Sequence, residues 1–441
     1  MICEYPASRD SEAERRRMPS VLFLNRSYWP DSEATGQLLS ELCEDLATEF
    51  NVTVIAGQPN CNPTAARYRR RGIEIRDHVR IRRVWHSWFA KQSLPGRLIN
   101  YLSFLLSAFW AAVWAKRPDV VVVETDPPLL CLIGWYLKRV RGAKLVVYLQ
   151  DIHPDIAIAI GKIRNGRVTR MLRRLMVRSY RSADRVVVLS RDMRQRVIDA
   201  GVTPERVVCI PNWIDTQQVQ PVKHFNPFRE RHCRGAEFVA MYSGNLGLCQ
   251  RLEDVIAAAS HLRDRPDILF LFVGEGALKR RLIEQVLELG LSNVRFLPYQ
   301  PKANLSESLS AADVQLVPLD PRVASCLMPS KLYGALASGT PLVTVAPDDC
   351  ELAELTREHR IGVVAPPGQP EILADMIRNL ADRPWDLCEM GVRARRLAEV
   401  DYDRKSVTAR FAELLKLFFD GRPCVKPEGK AVPSVQPAEI V

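Results

Sequence analysis

No Cys-x-x-Cys occurs among the 11 cysteines, their number is odd and their spacing is wide, which argues against a zinc ribbon and a disulfide framework and fits a reducing cytosol. The stretch Met1–Arg17 has no apolar core and is not expected to be a secretory signal. No Gly-x-Gly-x-x-Gly follows the first strand-like run and no Walker loop is present, which weakens nicotinamide-dinucleotide and P-loop readings. Gly 22, Pro 30 and 7% aromatics in 441 residues are ordinary, so collagen-like, low-complexity and multi-span membrane classes fall away.

What remains is a globular chain of two or three domains, with 47% hydrophobic residues to build cores. Its net charge of +11 is unevenly placed. Residues 1–215 hold 34 Lys/Arg against 22 Asp/Glu, whereas residues 216–441 hold 28 against 29. A basic first half attracts nucleic acid, anionic headgroups or phosphorylated substrates, although a solvated basic face is the blander reading. The uncharged run Leu98–Ala115 (LINYLSFLLSAFWAAVWA) is 18 residues long, the lower limit for a membrane span. A buried helix and a helix dipping into the bilayer interface are the other readings, with Tyr101, Trp110 and Trp114 suited to either.

Strand-like and helix-like segments alternate in two series, the pattern of parallel α/β architecture. The first contains VLFLN, VTVIA, VRIRRVW, DVVVVE, KLVVYLQ and RVVVLS, and the second EFVAMYS, DILFLFV, NVRFL, VQLVP and PLVTV. Near-continuous Val and Leu runs imply strands covered on both faces. The expected organisation is an extension at 1–18, one doubly wound domain at 19–211, a linker at 212–235 and a second such domain at 236–402. A terminal helix at 403–420 returns to the first domain, and a disordered tail follows at 421–441.

Several segments carry chemistry. Gly36 opens a helix after the first strand, where a ligand can approach backbone N–H groups. In the second domain, one strand ends at Gly244-Asn245-Leu246-Gly247, followed by Gln250 and Arg251, and the next ends at Gly274, followed by Lys279 and Arg280. Glycine turns at carboxyl ends of parallel strands, with cations beside them, suit a diphosphate; tight turns alone would also require glycine. In PSKLYGALASGTP, Pro329 and Ser330 open a helix, and Lys331 in its first turn is expected to be aimed, with the free N–H groups, toward the cleft. Asp151 and His153, at the end of another buried strand, can orient a hydroxyl or move a proton.

These strings, YWPDSEATGQLLSELCEDLA, LQDIHPDIAIAIG, IPNWID, YSGNLGLCQRLEDVI, FVGEGALKRRL, VRFLPYQP, AADVQLVPL and MPSKLYGALASGTP, resemble in this order the retaining family-four glycosyltransferases of the GT-B fold, and within them bacterial exopolysaccharide enzymes of the colanic-acid type. The resemblance covers about residues 19–420. It implies a nucleotide-sugar donor, with a leaning toward UDP, on the C-terminal domain and an acceptor on the N-terminal one. It further implies transfer with retention and no obligatory metal or cofactor, because basic residues and amide groups stabilise the leaving diphosphate. By that likeness Gly36, Gly244, Asn245, Gly247, Gln250, Arg251, Gly274, Ser330, Lys331 and Lys279 or Arg280 hold the donor, Leu297–Tyr299 lies beside the base, and Asp151 and His153, the catalytic candidates with Glu351, match the acceptor-side polar residues where the sugar is held. The family's two glutamates, eight positions apart, fall here on Cys326 and Gly334, and Glu351 is the candidate for the missing carboxylate.

The basic half and the aromatic apolar run further suggest a lipid-linked or other carbohydrate acceptor, an anionic membrane surface as partner and a place on the cytoplasmic face of the inner membrane. Arg67, Arg69, Arg70, Arg71, Arg76, Arg80, Arg82 and Arg83, with Trp85, Trp88 and Phe89, would face the membrane. Two alternatives stay open. A sugar-nucleotide epimerase of the same fold would need a paired acid and base. An RNA-binding protein would interleave aromatics with arginine on exposed strands, whereas here they cluster in one apolar run, so nucleic acid is not the expected partner.

Overall fold

The computed structural model describes residues 18–31, 33–59, 71–89, 94–222 and 225–419. The expected extension up to Arg17, the tail at 421–441 and Arg67, Arg69 and Arg70 lie outside the described residues.

The first sheet is built from β1 (Ser20–Leu24), β2 (Asn51–Ala56), β3 (Gly72–Arg76), β4 (Val79–Arg83), β5 (Val120–Val123), β6 (Lys144–Leu149), β7 (Arg185–Val188) and β8 (Val207–Cys209). Its order is β3-β4-β2-β1-β5-β6-β7-β8, parallel except for β3, which pairs antiparallel with β4 at the edge. The second is built from β9 (Phe238–Ser243), β10 (Ile268–Val273), β11 (Val294–Leu297), β12 (Val314–Pro318), β13 (Leu342–Val345) and β14 (Gly362–Ala365). Its order is β11-β10-β9-β12-β13-β14, all parallel. Crossover helices cover both faces, which is why Val120–Val123 and Ile268–Val273 are buried along their whole length.

The order in which strands are added reverses once in each sheet, between β1 and β5 in the first and between β9 and β12 in the second. Loops leaving the carboxyl ends of those strands diverge and open a crevice, the usual ligand position in such sheets. In the first domain the crevice is framed by Arg26 and Asp126, paired at 3.0 Å. In the second it is framed by the loops at Gly244–Gln250 and Leu319–Ser330, tied by Asp320 N–H donating to the Cys249 carbonyl at 2.8 Å.

Buried contacts fix the segment by which the chain leaves the first domain. Asn212 of IPNWID and Gln150 of LQDIHP exchange side-chain amide bonds at 2.9 and 3.2 Å, and Tyr148 donates to Asn212 at 3.2 Å. The chain then crosses over, comes back through an isolated bridge between Ile214 and Asp403, and ends in the helix Arg404–Lys416. That helix lies on the helix Ala34–Leu46: Arg404 pairs with Asp45 at 2.7 Å, Lys416 with Glu49 at 2.6 Å, and Phe411 packs on Phe23 and Tyr148. One apolar cluster therefore runs from the first sheet through Trp213, Tyr402 and Phe411 to Tyr333 of the second domain.

The apolar run folds as the crossover helix Leu94–Val113. Phe104, Ala108, Ala111 and Ala112 are buried, and Asn100 and Ser103 bond the 87–89 loop, while Leu98, Leu102, Leu106, Trp110 and Trp114 form an exposed apolar stripe. A wholly buried helix is thus not what forms. Its length and mean hydropathy of 1.3 would permit a span, but spanning would strip it from the domain it completes.

Candidate active site

The centre of the second crevice is a contact between two glycine turns and one lysine. Gly244 has φ +145° and Gly274 φ +148°, a region that disfavours any side chain. A Cβ on Gly274 would lie 2.0 Å from the Gly244 carbonyl oxygen, so the turns after β9 and β10 touch through bare backbone. They are laced by Gly244 N–H to Val273 O and Leu246 N–H to Glu275 O, both 2.8 Å.

Lys331 begins the short helix Lys331–Ala337, set between Pro329 and Gly339. Its stem lies over Gly244, where a Cβ would come within 2.6 Å of its Cε. The ammonium stands 5.3 Å from the centre of the Tyr242 ring, whose hydroxyl is engaged in donating to the Asn245 carbonyl at 2.6 Å. Among the described residues no carboxylate pairs with it. Burial therefore lowers its pKa to about 8, against a smaller upward pull from Cys249. A desolvated cation beside glycine backbone is a ready partner for phosphate oxygens.

Other expected donor residues distribute unevenly. Asn245 and Gln250 converge on Gly247, and the buried Oε1 of Gln250 has no hydrogen-bond partner among the described residues. Lys279 stays beside the second turn, paired with Glu275 at 2.7 Å, whereas Arg280 points into solvent toward Glu284. Arg251, with φ +46°, is held by Asp254 at 2.7 Å. Ser330 and Tyr299 are exposed, and the Ser330 side chain does not cap its helix. Gly36 is buried against its own loop, its Cβ position 3.3 Å from Tyr28 N and 3.4 Å from Asp31.

From the other domain, the 150–155 loop reaches across: Ile152 N–H donates to the Cys326 carbonyl at 2.9 Å. Asp155 pairs with Arg196 at 3.1 Å, and Arg196 donates to Ser325 at 2.9 Å. Asp151 and His153 are thereby brought to the cleft. Burial raises the Asp151 pKa, opposed by the nearby imidazole, and lowers that of His153, opposed by Asp151 and Asp126. Burial lifts the Cys249 thiol to about 11, with Asp151, Lys162, Asp320 and Lys331 all acting on it electrostatically. Cys249 and Lys162 are thus cleft residues that sequence reasoning missed. Only the Gly161-Lys162 break after DIAIA hinted at the second.

Glu351 does not take the place foreseen for it. Its carboxylate accepts from the backbone N–H of Arg191, its own N–H donates to Asp192 at 2.8 Å, and its charge acts on Cys209, Tyr333 and Tyr402. Both acidic groups cap helices across the domain interface, which fully employs them. The carboxylates that act on Cys326 are instead Asp155, which is paired with Arg173 and Arg196, and Asp151.

Two doubly wound domains, with touching glycine turns and a desolvated lysine in the second and polar groups reaching over from the first, have the architecture of the GT-B glycosyltransferases. The profile of the Glycosyl transferase 4-like domain matches residues 34–213, and that of Glycosyl transferases group 1 matches residues 227–397. The chain is 30% identical over 412 residues to a protein of Escherichia coli K12 that bears the name of a colanic acid biosynthesis glycosyl transferase, WcaI, covering 89% of this chain and 98% of that one. In fold it is similar to sucrose-phosphate synthase of Thermosynechococcus elongatus, with a TM-score of 0.72, 17% identity and coverage of 91% and 99%. It is likewise similar to Anabaena HepE, solved with UDP and glucose, with a TM-score of 0.68, 17% identity and coverage of 90% and 99%. The chain belongs to the family-four GT-B glycosyltransferases of the colanic-acid type. Neither the epimerase nor the RNA-binding alternative is favoured by these matches.

Proposed function

We propose that this glycosyltransferase moves a sugar from a UDP-sugar, with retention of configuration and no obligatory metal, to a lipid-linked acceptor at the cytoplasmic face of the inner membrane. The observation that carries this reading is Lys331 lying unpaired across Gly244, where the turns after β9 and β10 meet. A diphosphate there would take hydrogen bonds from Lys331 and turn amides, and this electrostatic stabilisation of the leaving group replaces a cation. HepE, bound to UDP and glucose, supports uridine as the base, and the WcaI name supports a polysaccharide product.

On the acceptor side, Asp151 and His153 flank Ile152, whose N–H donates to the Cys326 carbonyl of the second domain. With its pKa lowered by burial, His153 is neutral near pH 7 and can accept or donate a hydrogen bond to a sugar hydroxyl. The membrane reading draws on the exposed stripe Leu98–Leu102–Leu106–Trp110 together with Trp85, Trp88 and Phe89.

A thermal-shift screen of nucleotide sugars tests the donor. A true donor at 100 times its dissociation constant adds about 2.7 kcal/mol, on the order of 5–10 °C for a domain of this size. A UDP-sugar should give that shift and a GDP-sugar should not; the reverse pattern overturns the uridine assignment. NMR of the product linkage against the donor anomer decides retention. Flotation with vesicles containing phosphatidylglycerol decides the membrane assignment.

A further inference from the structure

A second concavity lies well away from the active site. It is a groove of about 920 Å³ between the first sheet and the C-terminal half of the helix Leu94–Val113, and it is lined by Ser20 and Asn51 at the amino ends of β1 and β2. The active-site loops leave the carboxyl ends, about 15 Å or more away along strands of this length. Its floor departs from the rule for a doubly wound sheet, whose two faces are apolar. On β2 and β4 the residues Val52, Val54, Val79 and Ile81 are buried on one face, while the other carries Thr53 directly beside Arg80 and the buried Ile55 beside Arg82. Arg82 is used, donating to the Ala111 carbonyl at the end of the helix at 2.9 Å. The side chains of Arg80 and Lys116, both exposed, have no ion pair or hydrogen bond among the described residues. The opposite wall is Trp110 and Trp114, which also end the exposed apolar stripe of the helix.

We propose that this groove binds the headgroup of an anionic phospholipid. The phosphate would meet Arg80 and Lys116, and the acyl chains would run along Trp110 and Trp114 onto the stripe. A cationic floor continuous with an exposed aromatic and aliphatic face matches an amphiphile with one charged end. Its distance from Lys331 makes it a docking site that is separate from the transfer reaction. The proposal rests on the membrane reading above and sharpens it, by giving that surface a stoichiometric lipid site.

The test uses the full chain and dihexanoyl phosphatidylglycerol below its micelle concentration, followed by calorimetry. Wild type is expected to bind it saturably and to bind dihexanoyl phosphatidylcholine at least tenfold more weakly. The pair R80E/K116E should lose about tenfold or more, and R80Q/K116Q should fall between. An unchanged thermal shift with UDP shows that the variants are folded. Quenching of tryptophan emission by a chain-brominated lipid should shrink in W110F/W114F. Absence of saturable binding, binding by R80E/K116E equal to wild type, or inorganic phosphate competing as well as the lipid overturns the groove assignment. The two readings separate cleanly. Vesicle flotation untouched by R80E/K116E, with no binding of monomeric lipid, sinks the groove and leaves membrane association standing. Charge-dependent binding of monomeric lipid without flotation of wild type sinks membrane association and leaves the groove.

Discussion

Lys331 and Gly244 are so close that a single methyl group would not fit between them: a Cβ on Gly244 would sit 2.6 Å from the lysine Cε. The glycine is what lets a cation from one loop lie flat over the backbone of another. Gly244→Ala should therefore displace the ammonium as well as strain a residue at φ +145°. The expected result is a loss of about 1 kcal/mol or more in stability and a fall of about tenfold or more in UDP affinity, read by denaturant melts and calorimetry. UDP affinity equal to wild type would dissociate this contact from donor binding.

The same lysine sets a pH dependence. Its pKa in the free protein is lowered to about 8, and a bound diphosphate would raise it. Below pH 8 the free protein already carries the charge, so affinity should be flat there. Above it, binding must take up a proton and affinity should fall by up to tenfold per pH unit until the bound-state pKa is reached. Lys331→Met should bind UDP weakly with no such slope between pH 7 and 9.5, measured by titration in matched buffers. A wild-type profile without a break near pH 8 would remove Lys331 from the phosphate site.

Much of this was legible in the sequence, for reasons that differ by element. Valine runs such as VVVV at Val120–Val123 announce a strand buried on both faces, and Pro329 and Gly339 bracket the Lys331 helix by backbone chemistry alone. Strand Gly72–Arg76 escaped notice because GIEIR is short, half charged and sits antiparallel at an edge, and Val207–Cys209 and Gly362–Ala365 are only three and four residues long. The role of Glu351 was not readable at all, since its partner Arg191 is 160 positions away in the other domain. Cys249 and Lys162 draw their character from burial and from charges on three other segments, which no local pattern encodes.

Lys279 and Arg280 were equivalent candidates for the cation after the second glycine turn, and the fold separates them. Lys279 is largely shielded beside Glu275, while the Arg280 side chain is 92% exposed and leans toward Glu284. Lys279→Ala should weaken donor binding by about tenfold, the value of one charge-assisted phosphate contact. Arg280→Ala should change it by less than about twofold. Steady-state KM for the donor, with kcat as control, measures both. Equal effects of the two substitutions would mean that the helix Lys279–Glu288 turns differently when the donor is bound.

The interdomain pair of caps makes a further claim about how the two halves are held. Arg191 N–H donates to the Glu351 carboxylate and Glu351 N–H to Asp192, so each domain supplies the acid for a helix N-terminus of the other. Removing either acid exposes one cap, at about 0.5–2 kcal/mol each. Because the two bonds form only when the domains meet in this arrangement, their losses should not add: Glu351→Ala and Asp192→Ala should show a coupling of about 0.5 kcal/mol or more in a double-mutant cycle of unfolding. Burial raises the pKa of both Glu351 and Asp192. Folding therefore retains a proton more tightly at these groups than the unfolded chain does. The proton-linked part of their contribution to stability is fully present below the unfolded carboxylate range and is lost as pH rises through the folded values, while the caps themselves persist. Removing both acids should accordingly flatten that part of the stability profile, followed by melts between pH 4 and 7. Additive losses with an unchanged profile would show two independent caps and no latch between the domains.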